Sequence, residues 1–340
     1  MLNVILTILL APFLPIFFYG NFAHSDEVLS MYSEKNVGMV MGEKEMKEES
    51  FGRQSTFPVE EKNMSAPIPM RKEDASDLKI WASSSVVIDV RSGTILHYDN
   101  GRKQTQVASL TKIMTAILTM EHLNNLNEEV VITREGLILP GTVVGCPRSG
   151  YCLSNRMYVG EKVRAVDLLK AALMNSANDA ATMLGIHIAG TEEKFVEMMN
   201  NKASDLGLRD TNFCTPSGLE TDGKESECYS SAYDLARIAA YSLKYEKIWE
   251  IMRIPEDRFF STDGKYMHEL KSTTFSSLEG ISGCLGGKTG FTPLAGKSLM
   301  VGAESPDGKN KIVVVILNDE TRWQDTKTLI NWAFNNYIWK

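Results

Sequence analysis

Hydrophobic and polar positions follow two different periods in the part of the chain that begins near residue 78. Residues 85–90 and 94–98 are short apolar runs joined by an Arg-Ser-Gly turn, which predicts a β-hairpin. Residues 311–317 form a continuous Val/Ile run, which indicates a strand in a sheet buried on both faces. Strands at both ends with helical patterns between them predict an α+β sandwich whose N- and C-terminal strands share one sheet.

Between these strands, apolar residues recur every three to four positions in several stretches. A first helix is predicted to begin near Ser109, and a strand is predicted over residues 129–133. The Gly-, Pro- and Cys-rich stretch 136–158 predicts an irregular loop. Further helices are predicted at residues 167–174, 180–189, 192–206, 232–243 and 326–337.

The first 77 residues differ in pattern from the rest. Residues 2–19 are almost wholly apolar, a length between that of a signal peptide and that of a membrane span. We therefore expect residues 1–25 to be a signal peptide or an N-terminal membrane anchor, and either one implies export. Residues 26–77 are rich in Glu, Lys, Ser and Met, which predicts a disordered linker. The folded domain is then expected at residues 78–340.

Charge and composition exclude one class of partner. The formal net charge is −7 and hydrophobic residues make up 43% of the chain, as in a globular acidic protein. No nucleic-acid partner is expected, because nothing in this balance would neutralise a run of phosphates. The histidines are scattered and no Cys-x-x-Cys spacing occurs, so neither a metal ion nor another cofactor is expected.

The five cysteines leave two readings open. In an exported protein, Cys146 with Cys152, or Cys214 with Cys228, could close short disulfide loops and leave Cys284 over. Five free thiols fit the sequence equally well, because spacing alone gives no Cα separations.

Candidate chemistry begins at the predicted first helix. Ser109 and Lys112 are three residues apart, so they are expected on one helix face, one turn apart. A serine hydroxyl becomes nucleophilic when a neighbouring base removes its proton, and a lysine serves as that base only if burial or a nearby cation keeps it neutral. The pair is a candidate nucleophile and base.

Two further motifs follow in order, Ser176-Ala177-Asn178 and Lys288-Thr289-Gly290. With their flanking residues 108–116, 176–181, 215–219 and 287–292, they resemble those of the low-molecular-mass D-alanyl-D-alanine carboxypeptidases, members of the penicillin-recognising serine acyl-transferases. The resemblance covers residues 78–340. It implies a β-lactamase/transpeptidase-like sandwich, with an antiparallel sheet and a helical subdomain.

The resemblance also implies a reaction. Ser109 would attack the carbonyl between the two terminal D-alanines of a peptidoglycan pentapeptide, with Lys112 as general base. Lys112 would stay neutral because Lys288 makes a second cation costly. Asn178 would hold the substrate amide and orient Lys112, and Ser176 would relay a proton to the leaving D-alanine.

Substrate binding is assigned by the same resemblance. Lys288 and Thr289 would bind the terminal carboxylate, and Gly290 would let the substrate backbone approach the strand edge. The backbone N–H groups of Ser109 and Phe291 would form the oxyanion hole. β-Lactams are the expected inhibitors, and the expected location is extracytoplasmic, in the periplasm or at the cell surface.

The sequence departs from the family in two places and leaves rivals open. Residues 267–271 stand where the family usually has an asparagine-rich segment, and no C-terminal β domain is expected, so any membrane attachment would come from the N-terminal segment. A class A β-lactamase is disfavoured because Glu192 and Glu193 open a predicted helix and no Glu-x-x-Leu-Asn pattern follows. A D,D-endopeptidase would use the same residues. A non-catalytic peptidoglycan- or β-lactam-binding module would need neither Ser109 nor Lys112.

Overall fold

The computed structural model describes residues 67–147 and 151–340. In this part of the chain the strands are β1 (Pro69–Arg71), β2 (Ser84–Asp89), β3 (Ile95–Asp99), β4 (Glu129–Val131), β5 (Lys162–Arg164), β6 (Glu256–Phe260), β7 (Met267–Lys271), β8 (Cys284–Gly290), β9 (Ser298–Glu304), β10 (Lys311–Leu317) and β11 (Tyr337–Trp339). The helices are α1 (Lys112–His122), α2 (Arg134–Leu137), α3 (Ala165–Met174), α4 (Asn178–Ala189), α5 (Glu192–Asp205), α6 (Ala232–Ser242), α7 (Glu246–Met252), α8 (Phe275–Leu278) and α9 (Arg322–Asn336).

The central sheet has five strands in the order β3-β2-β10-β9-β8, and all neighbours are antiparallel. Val314 of β10 is opposite both Val87 of β2 and Val301 of β9. The N-terminal hairpin β2–β3 therefore joins the C-terminal strands in one sheet, as the sequence predicts. β8 lies at an edge, and its last three residues are Lys288, Thr289 and Gly290.

Both faces of the sheet are covered, because the side chains of β10 alternate between two hydrophobic clusters. Val313, Val315 and Leu317 pack with the helical subdomain, which includes α1, α3, α4 and α6. Ile312, Val314 and Ile316 pack against α9 and its neighbours on the other face. The predicted α+β sandwich with its helical subdomain is confirmed, and the continuous Val/Ile pattern of β10 reflects this two-sided burial.

The predicted linker extends too far toward the C-terminus. Residues 69–71, inside the predicted linker, form β1, which pairs antiparallel with β11 at the other end of the chain. The Ile68 amide also donates to the Lys340 carbonyl at 3.0 Å. A three-residue strand shows no periodicity, and its partner is more than 260 residues away, so local sequence gives no sign of the pairing. The predictions for residues 1–25 and for residues 26–66 lie outside the described residues.

Several element boundaries also differ from the prediction. Helix α4 begins at Asn178, two residues before its predicted start, and α9 begins at Arg322, four residues before its predicted start. The hairpin β6–β7 and the short helices α7 and α8 were not predicted, because each is too short for a clear period. Within residues 67–147 and 151–340, none of the helices combines the length and apolar character needed to cross a bilayer.

Residues 267–271, where the resemblance leads us to expect an asparagine-rich segment, form β7. Its His268 is fully buried, with Nδ1 2.9 Å from the Asn155 carbonyl oxygen and Nε2 2.8 Å from Glu161 Oε1. Burial would lower the pKa of His268, but the hydrogen bonds to Glu161 and the Asn155 carbonyl raise it on balance. The hydrogen bonds of His268 to Asn155 and Glu161 therefore hold β7 against the loop between α2 and β5.

Both candidate disulfides form. Cys146 bonds to Cys152, and Cys214 bonds to Cys228 across 14 positions of the sequence. Cys284 is a free, half-buried thiol, and burial raises its pKa. The alternative of five free thiols is not what the structure shows.

Candidate active site

Ser109 lies in a single 3₁₀ turn, Ala108–Thr111, which leads directly into α1. Ala108, immediately before it, has a φ of 48°, in the left-handed region that a residue with a Cβ adopts only when its surroundings impose it. One such surrounding is Gly218, where a Cβ would approach the Ala108 carbonyl oxygen to 2.0 Å. The close passage of two backbones therefore fixes the turn that carries Ser109.

Lys112 is fully buried beneath this turn. Its Nζ lies 2.8 Å from Ser109 Oγ, 2.8 Å from Asn178 Oδ1 and 2.7 Å from the Ser217 carbonyl oxygen. The last two atoms can only accept hydrogen bonds. A neutral amine has two hydrogens for them, and its remaining lone pair then faces Ser109 Oγ. The arrangement suits a lysine that removes the serine proton.

The electrostatics of the two buried lysines favour neutral Lys112. Burial lowers the pKa of Lys112 well below its usual range, the charge of Lys288 lowers it further, and Asp179 opposes both effects. Burial, followed by the charge of Arg322, lowers the pKa of Lys288 to about 7. Lys288 therefore contributes as the resemblance implied, but burial is the larger cause.

Ser176 lies in the short connection between α3 and α4, and Asn178 is the first residue of α4. Ser176 has a φ of 59°, and its hydroxyl accepts from Lys288 Nζ at 2.8 Å. Asn178 Nδ2 donates to the Pro140 carbonyl at 2.8 Å, which leaves Oδ1 as the acceptor that meets Lys112. Loop residues before the Cys146–Cys152 disulfide thus orient the asparagine amide.

Residues 288–290 form the end of the edge strand β8 and face the same centre. Lys288 is fully buried, and its Nζ also donates to the Thr289 carbonyl at 3.0 Å. The Thr289 hydroxyl lies 3.1 Å from that of Thr273. A Cβ on Gly290 would lie 2.8 Å from the Val107 carbonyl oxygen, so only glycine allows β8 to pass this close to the Ser109 turn. Phe291, the next residue, is 60% exposed.

These motifs meet in space although Ser109 and Lys288 are 179 positions apart in the sequence. The family model for D-alanyl-D-alanine carboxypeptidases matches residues 70–321. The chain belongs to this family. The match begins at β1 and therefore includes residues that the sequence pattern assigned to a linker.

Curated carboxypeptidases are similar over most of this chain. DacF of Bacillus subtilis is 31% identical over 80% of this chain and 68% of its own length. DacD of Escherichia coli is 29% identical over 76% of this chain and 64% of its own length. This family member thus spans about two thirds of the length of these relatives.

Solved structures of related proteins share the fold. Penicillin-binding protein D2 of Listeria monocytogenes, in its ampicillin-bound form, is 30% identical and superposes with a TM-score of 0.63 over 76% of this chain and 99% of its own. A D-alanyl-D-alanine carboxypeptidase of Mycobacterium tuberculosis is 27% identical, with a TM-score of 0.67 over 78% and 96%.

Sequence reasoning missed several residues that support this carboxypeptidase-family site. The Ser217 carbonyl binds Lys112, and Asp179 accepts from the amides of Val144 and Ala180, with its pKa raised by burial to about 6. Residues 215–219 were noted only for their resemblance, because a backbone acceptor carries no residue-type signal. Within the described residues, no group of three or more His, Cys, Asp or Glu side chains could hold a metal ion.

Proposed function

We propose that this chain is a serine-type D-Ala-D-Ala carboxypeptidase that removes the terminal D-alanine of peptidoglycan stem peptides through a Ser109 acyl-enzyme. The observation that carries the proposal is the contact of buried Lys112 Nζ with Ser109 Oγ at 2.8 Å. A binding protein has no need of an activated hydroxyl. Burying an amine costs stability, and a catalytic role accounts for its presence here.

Acylation uses the groups around Ser109. Ser109 Oγ attacks the penultimate D-alanine carbonyl as its proton passes to Lys112, and the oxyanion forms at the N–H groups of Ser109 and Phe291. The C–N bond then breaks, and Ser176 relays a proton to the leaving D-alanine amine. Water attacks the ester with Lys112 again as base, which releases the shortened peptide and restores Ser109. Asn178 supports the substrate amide and Lys112 during both steps.

Substrate selection rests on the end of β8. Lys288 is the cation for the terminal carboxylate, and the Thr289 hydroxyl is a second donor to it. The peptide backbone is proposed to lie along the unpaired edge of β8, which Gly290 allows to come close to the Ser109 turn. A site that binds a free terminal carboxylate favours cleavage of the last peptide bond of the substrate.

A D,D-endopeptidase remains the second candidate, since it would use the same catalytic groups. A D-alanyl-D-alanine endopeptidase of Escherichia coli is 26% identical over 76% of this chain and 79% of its own length. Cleavage of a cross-linked peptide dimer, compared with release of D-alanine from a pentapeptide, separates the two activities.

The setting of the enzyme belongs to the same proposal. Its substrate lies outside the cytoplasm, so the apolar N-terminal segment is proposed to direct export and to provide any membrane attachment. The catalytic domain would then begin at β1 and end at β11. β-Lactams, which mimic the substrate and acylate serine enzymes of this class, are proposed inhibitors.

The first test is the intact mass of the full chain after incubation with benzylpenicillin, beside Ser109→Ala. We expect a covalent adduct on the wild type alone, together with release of D-alanine from a pentapeptide ending in D-Ala-D-Ala. Absence of both the adduct and β-lactam turnover would contradict the acyl-enzyme and favour a binding module.

The pH dependence of kcat/KM should be bell-shaped. The rate should rise as Lys112 loses its proton, at a pH well below the usual lysine range, because only the neutral amine can accept from Ser109. It should fall as Lys288, with a pKa of about 7, loses the charge that holds the substrate carboxylate. Because the two amines interact, the apparent pKa values of the two limbs belong to the pair and not to either lysine alone.

Measurement with a pentapeptide and with its C-terminal amide separates the two limbs. The amide has no carboxylate, so its slower reaction should lack the alkaline limb near pH 7. If both substrates show the same alkaline limb, Lys288 does not bind the carboxylate as a cation.

A further inference from the structure

The backbone at Phe291 must be held without help from its own side chain. Its N–H is the proposed second oxyanion donor, yet the residue is 60% exposed. A donor of this kind stabilises the transition state only if it is fixed before the reaction. Its position must therefore be set by the residues on either side.

The residue before Phe291 is fixed by β-sheet contacts. Gly290 pairs with Ser298 of β9, and its carbonyl accepts from Arg322 Nη1 at 3.2 Å. Arg322 Nη1 also donates to the Ser298 carbonyl at 3.1 Å, so one guanidinium holds both strands.

The residue after Phe291 is fixed from a different part of the fold. Thr292 is nearly buried, and its hydroxyl donates to Glu220 Oε1 while it accepts from the Ala295 amide at 3.1 Å. The Gly296 amide donates to the Thr292 carbonyl at 3.0 Å, which closes the turn.

Glu220 belongs to the segment that also holds the general base. It is three residues after Ser217, whose carbonyl accepts from Lys112 Nζ at 2.7 Å. The segment is internally braced, because Thr215 Oγ1 donates to the Leu219 carbonyl and accepts from the Gly218 amide, both at 3.0 Å. The Cys214–Cys228 disulfide encloses it. One short segment thus contacts Lys112 at one point and the strand end beyond Phe291 at another.

We infer that Glu220 is a positioning residue, which acts through Thr292 to hold the Phe291 N–H in register with Ser109 and its base. This inference rests on the proposed acyl-transfer function. The Glu220 carboxylate bonds to Thr292 and to neither Ser109 nor Lys112. Without its carboxylate, Thr292 would keep only the bonds of its own turn, to Ala295 and Gly296, and the oxyanion donor would lose part of its alignment.

The test compares Glu220→Ala with Glu220→Gln, whose Oε1 still accepts from Thr292. We expect Glu220→Ala to lower kcat about 10- to 100-fold with little change in KM, because the lost alignment matters in the transition state. Glu220→Gln should stay close to wild type. Thr292→Val should resemble Glu220→Ala, and the double variant should be no slower than either single variant.

Two controls separate alignment from a general loss of structure. Glu227→Ala removes an exposed carboxylate from the same disulfide-closed segment, one without a contact to Thr292, and should leave kcat unchanged. A peptide boronic acid, which forms a tetrahedral adduct on Ser109, should lose affinity in proportion to kcat/KM. Rates are expressed per site that titrates with benzylpenicillin, so a merely less stable variant would keep its kcat.

The outcomes separate this inference from the proposed function. If the wild type neither forms an adduct nor releases D-alanine, the proposed function fails. If the wild type is active and Glu220→Ala keeps wild-type kcat and boronate affinity, only the positioning role is overturned. A Glu220→Gln variant as slow as Glu220→Ala would also overturn it, because the hydrogen bond would then not be the cause.

Discussion

Replacing Lys112 with methionine is expected to lower the rate of Ser109 acylation by about 10²- to 10⁴-fold, the range typical for loss of a general base. Methionine has nearly the same length and fits an apolar pocket, but it cannot accept the Ser109 proton. It also leaves Asn178 Oδ1 and the Ser217 carbonyl without a donor, which costs about 1–3 kcal/mol of stability each. The variant no longer buries an amine, which offsets part of that cost.

Stopped reactions with benzylpenicillin, followed by intact mass, give the acylation rate of the Lys112→Met variant. Saturation with a substrate peptide shows whether binding survives. Lys79→Met, at an exposed lysine, controls for the loss of an amine as such. Acylation of Lys112→Met within tenfold of the wild type would exclude Lys112 as the base. The residual rate should also lack the acidic limb that the wild type owes to Lys112.

Replacing Gly218 with alanine is expected to reduce acylation about 100-fold or more, although Gly218 has no side chain that could take part in the reaction. Its new Cβ would lie 2.0 Å from the Ala108 carbonyl oxygen and 2.7 Å from Thr111 Oγ1, so the backbones must separate. That movement displaces the turn before Ser109 and also the Ser217 carbonyl. A misplacement of about 1 Å at reacting atoms is enough for a 100-fold loss.

The same segment provides a matched control for Gly218→Ala. Gly223 has the same φ of 78°, and nothing lies within 4 Å of its added Cβ. Gly223→Ala should therefore show only the backbone strain of a left-handed residue, about 1 kcal/mol or slightly more, with unchanged acylation. Thermal unfolding and the acylation rate are measured on both variants. Equal loss of activity in both variants would show that backbone strain is the cause. Wild-type acylation in Gly218→Ala would contradict the claim that the close approach of Gly218 to Ala108 fixes the Ser109 turn.

The central sheet and the main helices could be predicted because their patterns are local and long. The strand at 311–317 was predicted with its observed bounds, since each residue after Lys311 is buried on one face or the other. β1 and β11 could not be predicted, because each has three residues and depends on a partner at the opposite end of the chain. Short strands of this kind are specified by tertiary contacts.

In the candidate site, residues could be predicted where their side chains react, but not where they act through a backbone atom or a distant contact. Ser109, Lys112, Asn178 and Lys288 were found because their chemistry requires those residue types. Ser217 was part of a matching segment but was assigned no role, because only its carbonyl is used and any residue could supply one. Glu220 was not singled out either, since its role depends on a contact with Thr292 that is 72 positions away. The order of motifs predicts which groups react, and the fold decides how they are held.

The Cys214–Cys228 bond makes the stability of the loop that contacts Lys112 depend on the redox state of its surroundings. It encloses the segment that contains the Lys112 acceptor and the glycine under Ala108. Closing a loop of this length lowers the entropy of the unfolded chain and so raises the free energy of unfolding by about 3 kcal/mol. In a reducing cytosol the thiols would stay apart and this restraint would be absent. A chain retained inside the cell would have the same catalytic residues in a less stable fold, so oxidation and catalysis are linked through the stability of this loop.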